Sequence, residues 1–181
     1  MNRLVSLHNS IFQRVETMLG SWFLPTLARF TFAATLLIYF WNSARLKIGE
    51  GVFGFFDISR AYGQIFPKAY EAAGYDEAAM SVFQWLIALA GTWAEFILPL
   101  LIVIGLMTRI AALGMVGFVI VQSLTDIYGH GAEKYGAWFD RLSDGVIMDQ
   151  RLFWVTVLLT LVVRGAGPVS VDRLLGRNRQ S

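Results

Sequence analysis

The sequence predicts an all-α fold, an integral membrane four-helix bundle preceded by an N-terminal amphipathic helix. Of the 181 residues, 56% are hydrophobic and only 15% are charged, and the mean hydropathy is +0.54. Soluble domains carry roughly 25% charged residues, so this chain lacks the polar surface that a water-soluble domain needs. The apolar residues are also gathered into long runs, and three of these reach the roughly 20 residues that a helix needs to cross a bilayer.

The composition excludes several classes of function. The chain has no cysteine, which rules out disulfides, a thiol nucleophile, a redox dithiol, iron–sulfur ligation and covalent haem attachment. The formal net charge of +2 is small and gives no indication of nucleic-acid binding. The lipid bilayer is therefore the one partner that composition itself predicts.

Residues 1–22 are predicted to form the amphipathic helix. Charged residues interrupt the apolar run, so the segment does not have the pattern of a cleavable signal peptide. Apolar residues recur at spacings of three and four, as on one face of a helix: Leu4, Leu7, Ile11, Val15, Met18 and Trp22. Two interpretations remain open, a helix in the inner headgroup zone of the membrane and a helix docked on the bundle.

The predicted transmembrane domain covers residues 23–175 and is followed by a basic tail, residues 176–181. Three spans follow directly from hydropathy and length, at about 24–43, 82–105 and 110–128. A fourth is predicted at 147–163. Its apolar part, 152–163, is short, so it crosses only if the preceding residues add a turn or two beside protein or an interface.

The links between the predicted spans differ in length. Residues 106–109 separate the second span from the third, and so short a link forces an antiparallel helical hairpin. The link at 44–81 is long and rich in aromatic residues and glycine, and it predicts short interfacial helices or a cap over the mouth of the bundle. The link at 129–150 also carries aromatic and acidic residues.

The distribution of Lys and Arg predicts the orientation, because cytoplasmic loops carry an excess of both. Eight basic residues fall on the side of the termini: Arg3, Arg14, Arg29, Arg109, Arg164, Arg173, Arg177 and Arg179. Seven fall on the side of the long links: Arg45, Lys47, Arg60, Lys68, Lys134, Arg141 and Arg151. We therefore expect a multi-pass protein of the bacterial cytoplasmic membrane with both termini in the cytoplasm.

Glu95 lies well inside the second span and, by residue counting, near the middle of the bilayer. A carboxylate at that depth costs several kcal/mol unless it is paired, protonated or hydrated, so it is either a functional residue or part of a structural ion pair. The predicted partner is Arg29, about one turn inside the first span, with its long side chain extended inward. Gln122, at nearly the same depth in the third span, is the easier neighbour.

Gln122, Asp126 and His130 follow one another at i, i+4 and i+8 and so lie on one helical face. With Glu95 and Thr92 they outline a polar path or a quinone-sized cleft that opens outward. The alternative is a helix end that simply becomes polar at the interface. No metal site is predicted, because the two histidines fall on opposite sides of the membrane. The glycine pattern at 49–54 lacks the strand and helix of a dinucleotide site.

Several of these residues resemble the DoxX family of small bacterial four-helix membrane proteins. The marks are Arg29, Glu95, the run Ile-Gly-Leu-Met-Thr-Arg-Ile-Ala-Ala-Leu at 104–113 and the ending Gly-Ala-Gly-Pro-Val-Ser-Val-Asp at 165–172. The resemblance covers about residues 29–175 and implies a four-helix bundle in the cytoplasmic membrane. The family takes its name from a subunit of an archaeal thiosulfate:quinone oxidoreductase, and other members resemble partners of redox-stress proteins. The link at 44–81 is longer than the family's usual one.

The resemblance and the buried acid together lead to three hypotheses. The first is a membrane subunit that binds a quinone-like or lipid molecule and supports an oxidoreductase partner, with Arg29 and Glu95 tuning the site. The second is a non-catalytic scaffold or assembly factor in which buried charges specify packing. The third, and weaker, is a small transporter or channel. Whether the chain is itself an enzyme, and whether it forms homo-oligomers, is left open at this stage.

Overall fold

The computed structural model describes residues 2–51 and 53–177, and within these the chain is helical with no strand. The described helices, in chain order, are α1 (Asn2–Leu19), α2 (Phe23–Arg45), α3 (Tyr62–Ile65), α4 (Pro67–Ala72), α5 (Val82–Ile104), α6 (Thr108–Gly129), α7 (Met148–Arg164) and α8 (Val171–Arg177). Most of the predicted basic tail, from residue 178 onward, lies outside the described residues.

Three helices, α2, α5 and α6, are long and apolar enough to cross a membrane, by length and composition. They contain 23, 23 and 22 residues, and their bounds lie within two residues of the predicted spans at every end. The fourth predicted span corresponds to α7, which has 17 residues and carries Asp149 and Arg151 in its first turn. Its crossing therefore stays a prediction.

One apolar core joins α2, α5, α6 and α7. Its largest fully buried side chains are Phe32 and Phe40 from α2, Ile102 from α5, Met115 from α6 and Leu158 from α7. Many other large apolar side chains of the same helices point outward and are exposed, including Phe30, Ile38, Ile110, Ile120 and Val163. Such a surface is unfavourable in water and suits the hydrocarbon of a bilayer.

Two of the long helices contain a π-helical turn. In α2 it covers Ala33–Leu37, and in α6 it forms the last turn, Thr125–Gly129. A π-turn inserts one extra residue and so rotates the side chains that follow it, and such turns are frequent at functional sites. The second π-turn carries Asp126 and leads directly into His130.

The hairpin between α5 and α6 turns within residues 105–107. Gly105 (φ 74°) and Met107 (φ 50°) both adopt the left-handed conformation. The amides of Gly105 and Leu106 donate back to the carbonyl of Leu101 at 3.0 and 2.9 Å, which satisfies a carbonyl at the end of α5. A Cβ at residue 105 would lie 2.6 Å from the Cβ of Ser170, so both conformation and space require glycine here.

The long link contains two short helices and packs on α5, and it is referred to below as the cap. Ile58, Ala61 and Tyr62 are buried against Ala88 of α5 in a second, smaller apolar cluster. Two 3₁₀ turns, Ser59–Ala61 and Glu77–Ala79, flank α3 and α4. Before them, Gly49 donates from its amide to the carbonyls of Gly54 and Asp57 at 3.0 and 2.8 Å, so the glycine-rich segment is a compact turn.

The N-terminal helix α1 stands apart from the bundle. Its side chains from Arg3 to Met18 are exposed, including the apolar face that carries Leu4, Leu7, Ile11 and Val15. The docked interpretation of this helix is therefore wrong for the described structure. Only residues 20–22 join α1 to α2, which keeps α1 at the level where that span begins.

Candidate functional site

Charged side chains that are buried or half-buried lie at both ends of the bundle. We call the end that carries the α5–α6 turn and residues 165–172 the turn end, and the end that carries the two long links the link end. Each end places charged side chains among helix termini, but with different partners. The contacts at the link end surround a cleft.

The cleft has a volume of about 460 Å³ and lies between α5, α6, the end of α2 and the cap. Its polar lining consists of Ser43, Lys47, Gln64, Glu95, Gln122, Thr125, Asp126 and His130. Most of the remaining lining is small or aliphatic, and it includes Gly91, Gly114 and Gly117. A Cβ on Gly117 would meet no atom within 4 Å, so the lack of a side chain at this residue leaves room in the cleft.

Glu95 forms a buried ion pair with Lys47 in the wall of the cleft. The Lys47 ammonium lies 2.9 and 2.7 Å from the two carboxylate oxygens, and the two side chains are only 5% and 3% exposed. The same ammonium donates to the hydroxyl of Ser43 at 2.7 Å. Taking two charges out of water is costly, and such a pair is tolerated where every charged atom has a partner.

Two features of α2 and α5 support this pair. Lys47 follows α2 by two residues and donates back to the Ser43 carbonyl at 3.3 Å, which turns its side chain toward α5. In α5, Pro99 has no amide to donate to the carbonyl of Glu95 four residues earlier. Beside this break, the Trp41 indole donates to the carbonyl of Phe96 at 3.2 Å and so joins the two helices next to the acid.

The predicted pairing of Glu95 with Arg29 is wrong. Arg29 donates to four backbone carbonyls at the turn end, and it does not line the cleft. The carbonyls of the last turn of α5 lack the amide four residues later that a helix interior supplies, and those of Ile102 and Val103 lie within hydrogen-bond distance of Arg29. Lys47, counted from the sequence as a loop charge, takes the place predicted for Arg29.

The other three predicted residues, Gln122, Asp126 and His130, line the cleft together with Glu95. Gln122 donates to the Tyr39 hydroxyl at 3.2 Å, while its buried Oε1 has no partner in the described chain. The ring of His130 lies 3.0 Å, through Nε2, from the carbonyl oxygen of Gln64 in the cap. Thr92 was predicted to join them, but it is fully buried and donates to the carbonyl of Ala88.

Asp126 pairs with Arg151, the second residue that sequence reasoning placed in a loop. Arg151 is 6% exposed, binds Asp126 and also donates to the Ser123 hydroxyl at 3.0 Å. Its guanidinium carbon lies 5.9 Å from the ring centre of Trp154, a cation–π distance. One signal for this role was available in the sequence. Arg151 falls within the segment that the fourth helix needs in order to cross the bilayer, and a charge inside a span requires a partner.

At the turn end, Arg29 and Asp172 hold three chain segments together. Arg29 donates to Ile102 and Val103 of α5 and to Ala166 and Val169 of the segment after α7. The two Asp172 oxygens accept from the amides of Met107 and Thr108, at 2.7 and 3.0 Å, and so cap the start of α6. The two motifs quoted for the family resemblance, 104–113 and 165–172, therefore meet in this one cluster.

Metal binding and known relatives add no further assignment. No group of three or more His, Asp or Glu residues that could hold a metal ion occurs in the described part of the chain. No family model, no curated protein and no solved structure matches the chain. The functional assignment therefore depends on the cleft and its charged wall.

Proposed function

We propose that the chain is a DoxX-like subunit of a membrane oxidoreductase system that binds a quinone-like molecule in the cleft at the link end. The observation that carries the proposal is the buried Lys47–Glu95 pair in the wall of a largely apolar cleft. Small-molecule sites have volumes of roughly 300–1,000 Å³, apolar walls and few polar groups. The cleft has all three properties.

The polar groups suit a ring with oxygen substituents. Gln122 lines the cleft, and its buried Oε1 has no partner in the described chain, so it lacks the donor that a hydroxyl of a reduced ring would supply. Lys47 and Glu95 form a donor and an acceptor side by side. Reduction of a quinone to a quinol adds two electrons and two protons, and a positioned carboxylate or imidazole is a suitable proton carrier. Asp126 and His130 extend this set of groups toward the cap.

The electrons would come from a partner subunit, since the chain has no cysteine for a thiol relay. In this proposal the protein lies in the bacterial cytoplasmic membrane with both termini in the cytoplasm. Lys47 and Arg151 are buried and Arg29 is half-buried. Leaving these three out of the earlier counts gives seven basic residues on the side of the termini against five on the other. This widens the margin of the positive-inside rule.

A scaffold is the second candidate, and one observation favours it. The Lys47 ammonium contacts the carbonyl and hydroxyl of Ser43 and both carboxylate oxygens of Glu95, so the fold itself satisfies the pair. A transporter is less well supported, because the lining of the cleft extends no further toward the turn end than Leu98 and Gly114.

Filling the cleft tests the proposal. Gly117→Leu adds a side chain where a Cβ meets nothing, and Gly176→Leu is its matched control, a helical glycine of α8 with equally open surroundings. With decylubiquinone as the probe, we expect saturable binding to the purified protein, at least tenfold weaker in Gly117→Leu and unchanged in Gly176→Leu. Absence of saturable binding in the unmodified protein would overturn the proposal.

Glu95→Gln separates the quinone site from the scaffold. The variant keeps the shape of the side chain and removes its charge. We expect it to lower quinone binding while the partner subunit still co-purifies from native membranes. Normal quinone binding together with loss of the partner would favour the scaffold instead.

A further inference from the structure

A second concave surface lies at the turn end, away from the cleft. It is a groove of about 580 Å³ between the start of α6, the end of α7 and the start of α8. Its charged lining residues are Arg109, Arg164, Asp172 and Arg173. Three helix ends therefore bring three guanidinium groups and one carboxylate around one space.

The positive charge of the groove is not neutralised by ion pairs with described residues. The side chains of Arg109, Arg164 and Arg173 are exposed, and none forms an ion pair or side-chain hydrogen bond with a described residue. Asp172 is already engaged, because both of its oxygens accept backbone amides of α6. The groove thus presents three guanidinium groups against one carboxylate that has partners.

One neutral polar residue also lines the groove, and a glycine beside it makes room for Arg109. The hydroxyl of Thr108, a residue that is 1% exposed, has no hydrogen-bond partner in the described chain although the residue lines the groove. The Nε of Arg109 lies 3.3 Å from the position that a Cβ of Gly165 would occupy. Gly165 has φ 76°, so glycine both allows this conformation and leaves room for the arginine.

The surroundings of the groove indicate a membrane surface. It lies where α5 ends and α6 begins, which are the ends of two membrane-length helices. Large apolar side chains are exposed beside it, namely Met107, Ile110, Val169, Leu174 and Leu175. In an anionic lipid a charged headgroup is joined to apolar acyl chains. Basic groups next to exposed apolar side chains are complementary to both parts.

We propose that this groove binds the phosphodiester of an anionic phospholipid. Arginine is the preferred partner of phosphate, because its planar fork donates two parallel hydrogen bonds. Arg109, Arg164 and Arg173 supply the forks, and Thr108 supplies a neutral donor. The site is independent of the cleft, and it would remain if the cleft bound no quinone.

Native mass spectrometry of the purified full chain tests the site, with dioleoyl phosphatidylglycerol, dioleoyl phosphatidylcholine and inorganic phosphate as separate additions. We expect one phosphatidylglycerol to be retained at concentrations where phosphatidylcholine is lost. Equal retention of the two lipids would overturn the proposal. Saturable binding of inorganic phosphate as tight as that of phosphatidylglycerol would also overturn it, because the lipid would then add nothing to a phosphate site.

The variant Arg109→Gln/Arg164→Gln should weaken phosphatidylglycerol binding about tenfold, the loss expected from removing charge-assisted hydrogen bonds. The matched control is Arg45→Gln/Arg141→Gln, which removes the same charge from two exposed residues at the link end. An equal loss in the control would mean general charge attraction and would overturn the proposal.

Thr108→Val provides a second variant that does not depend on folding of the first. Valine has nearly the shape of threonine and lacks its hydroxyl, so the circular dichroism spectrum should not change. We expect about threefold weaker phosphatidylglycerol binding, and unchanged binding would contradict a role for the hydroxyl in this site.

Discussion

The turn end and the link end both contain charges that a membrane protein would be expected to avoid, and they differ in what neutralises those charges. At the turn end, Arg29 and Asp172 bind backbone groups of helix termini. At the link end, Lys47 and Glu95 bind one another beside an open cleft. A charge that binds backbone carbonyls or amides fixes the position of a helix, whereas a side-chain pair beside a cleft can exchange partners.

The largest effect is expected from Arg29→Met. The substitution keeps the stem of the side chain and removes a donor from four carbonyls of two segments. The Ile102 carbonyl keeps the Gly105 amide as a donor at 3.2 Å, and Val169 is exposed. The carbonyls of Val103 and Ala166 are left without a described donor, and at about 2 kcal/mol for each the loss in free energy of unfolding should be about 4 kcal/mol. Thermal unfolding in detergent measures it.

Arg60→Met is the control for Arg29→Met. Arg60 is 57% exposed, and its nearest acid, Glu50, is 3.9 Å away, so the change should be below about 0.5 kcal/mol. Similar losses in free energy of unfolding for Arg29→Met and Arg60→Met would contradict a structural role for Arg29 at the turn end.

Lys47→Met should lower the free energy of unfolding by about 3 kcal/mol, because it leaves the buried carboxylate of Glu95 without a cation. The loss is expected to be smaller than for Arg29→Met, since the carboxylate can take up a proton and the cleft can admit water. The double variant Lys47→Met/Glu95→Leu should recover most of it. A double variant as unstable as the sum of the two single ones would show that the residues do not act as a pair.

Asp172→Ala removes the cap at the start of α6 and should cost about 1.5 kcal/mol. Asp76→Ala is a matched comparison, because Asp76 accepts the Ala78 amide at 2.9 Å at the start of an exposed 3₁₀ turn in the link. We expect about 0.5 kcal/mol there, the low end of the range for loss of a cap. Equal unfolding temperatures for the two variants would contradict a special role for the turn end.

The smallest effect, and the only one of opposite sign, is expected from Gln122→Leu. The substitution removes the Oε1 of Gln122, which is buried without a partner in the described chain, and also the hydrogen bond to the Tyr39 hydroxyl. Because Tyr39 is exposed and its hydroxyl can bind water instead, the net effect should be neutral or stabilising, by up to about 1 kcal/mol. Quinone binding should weaken in the same variant. The exposed Gln150→Leu serves as the control, and a destabilised Gln122→Leu would show that the amide is structural.

Hydropathy predicted the long helices well, because the length that crosses a bilayer is fixed and the ends of each run are marked by charge or glycine. It could not predict the π-turns of α2 and α6. Each inserts a residue without changing the hydropathy of the run, so only the packing of the bundle reveals it. The fourth span stays a prediction because α7 is short and begins with charged residues.

The candidate site was predicted in part, and its errors have one cause. Glu95 was predicted to be an intramembrane acid. Gln122, Asp126 and His130 were predicted to share one helical face, either lining a cleft or forming a helix end that becomes polar at the interface, and the structure brings all four residues to one cleft. Arg29 was assigned to Glu95 because only side chains were considered as partners, although helix ends offer backbone carbonyls. Lys47 and Arg151 were missed because residues beside a span were counted as loop charges.

The cluster at the turn end also bears on the order in which the protein is made. Arg29 contacts carbonyls that follow it by 73 to 140 residues, and the start of α6 receives its cap from Asp172, 64 residues after Thr108. When α2, α5 and α6 have left the ribosome, Arg29 still lacks two acceptors and α6 still lacks its cap. Synthesis of residues 165–172 supplies both at once, so the three earlier helices can be held in their final arrangement only after the fourth has been made.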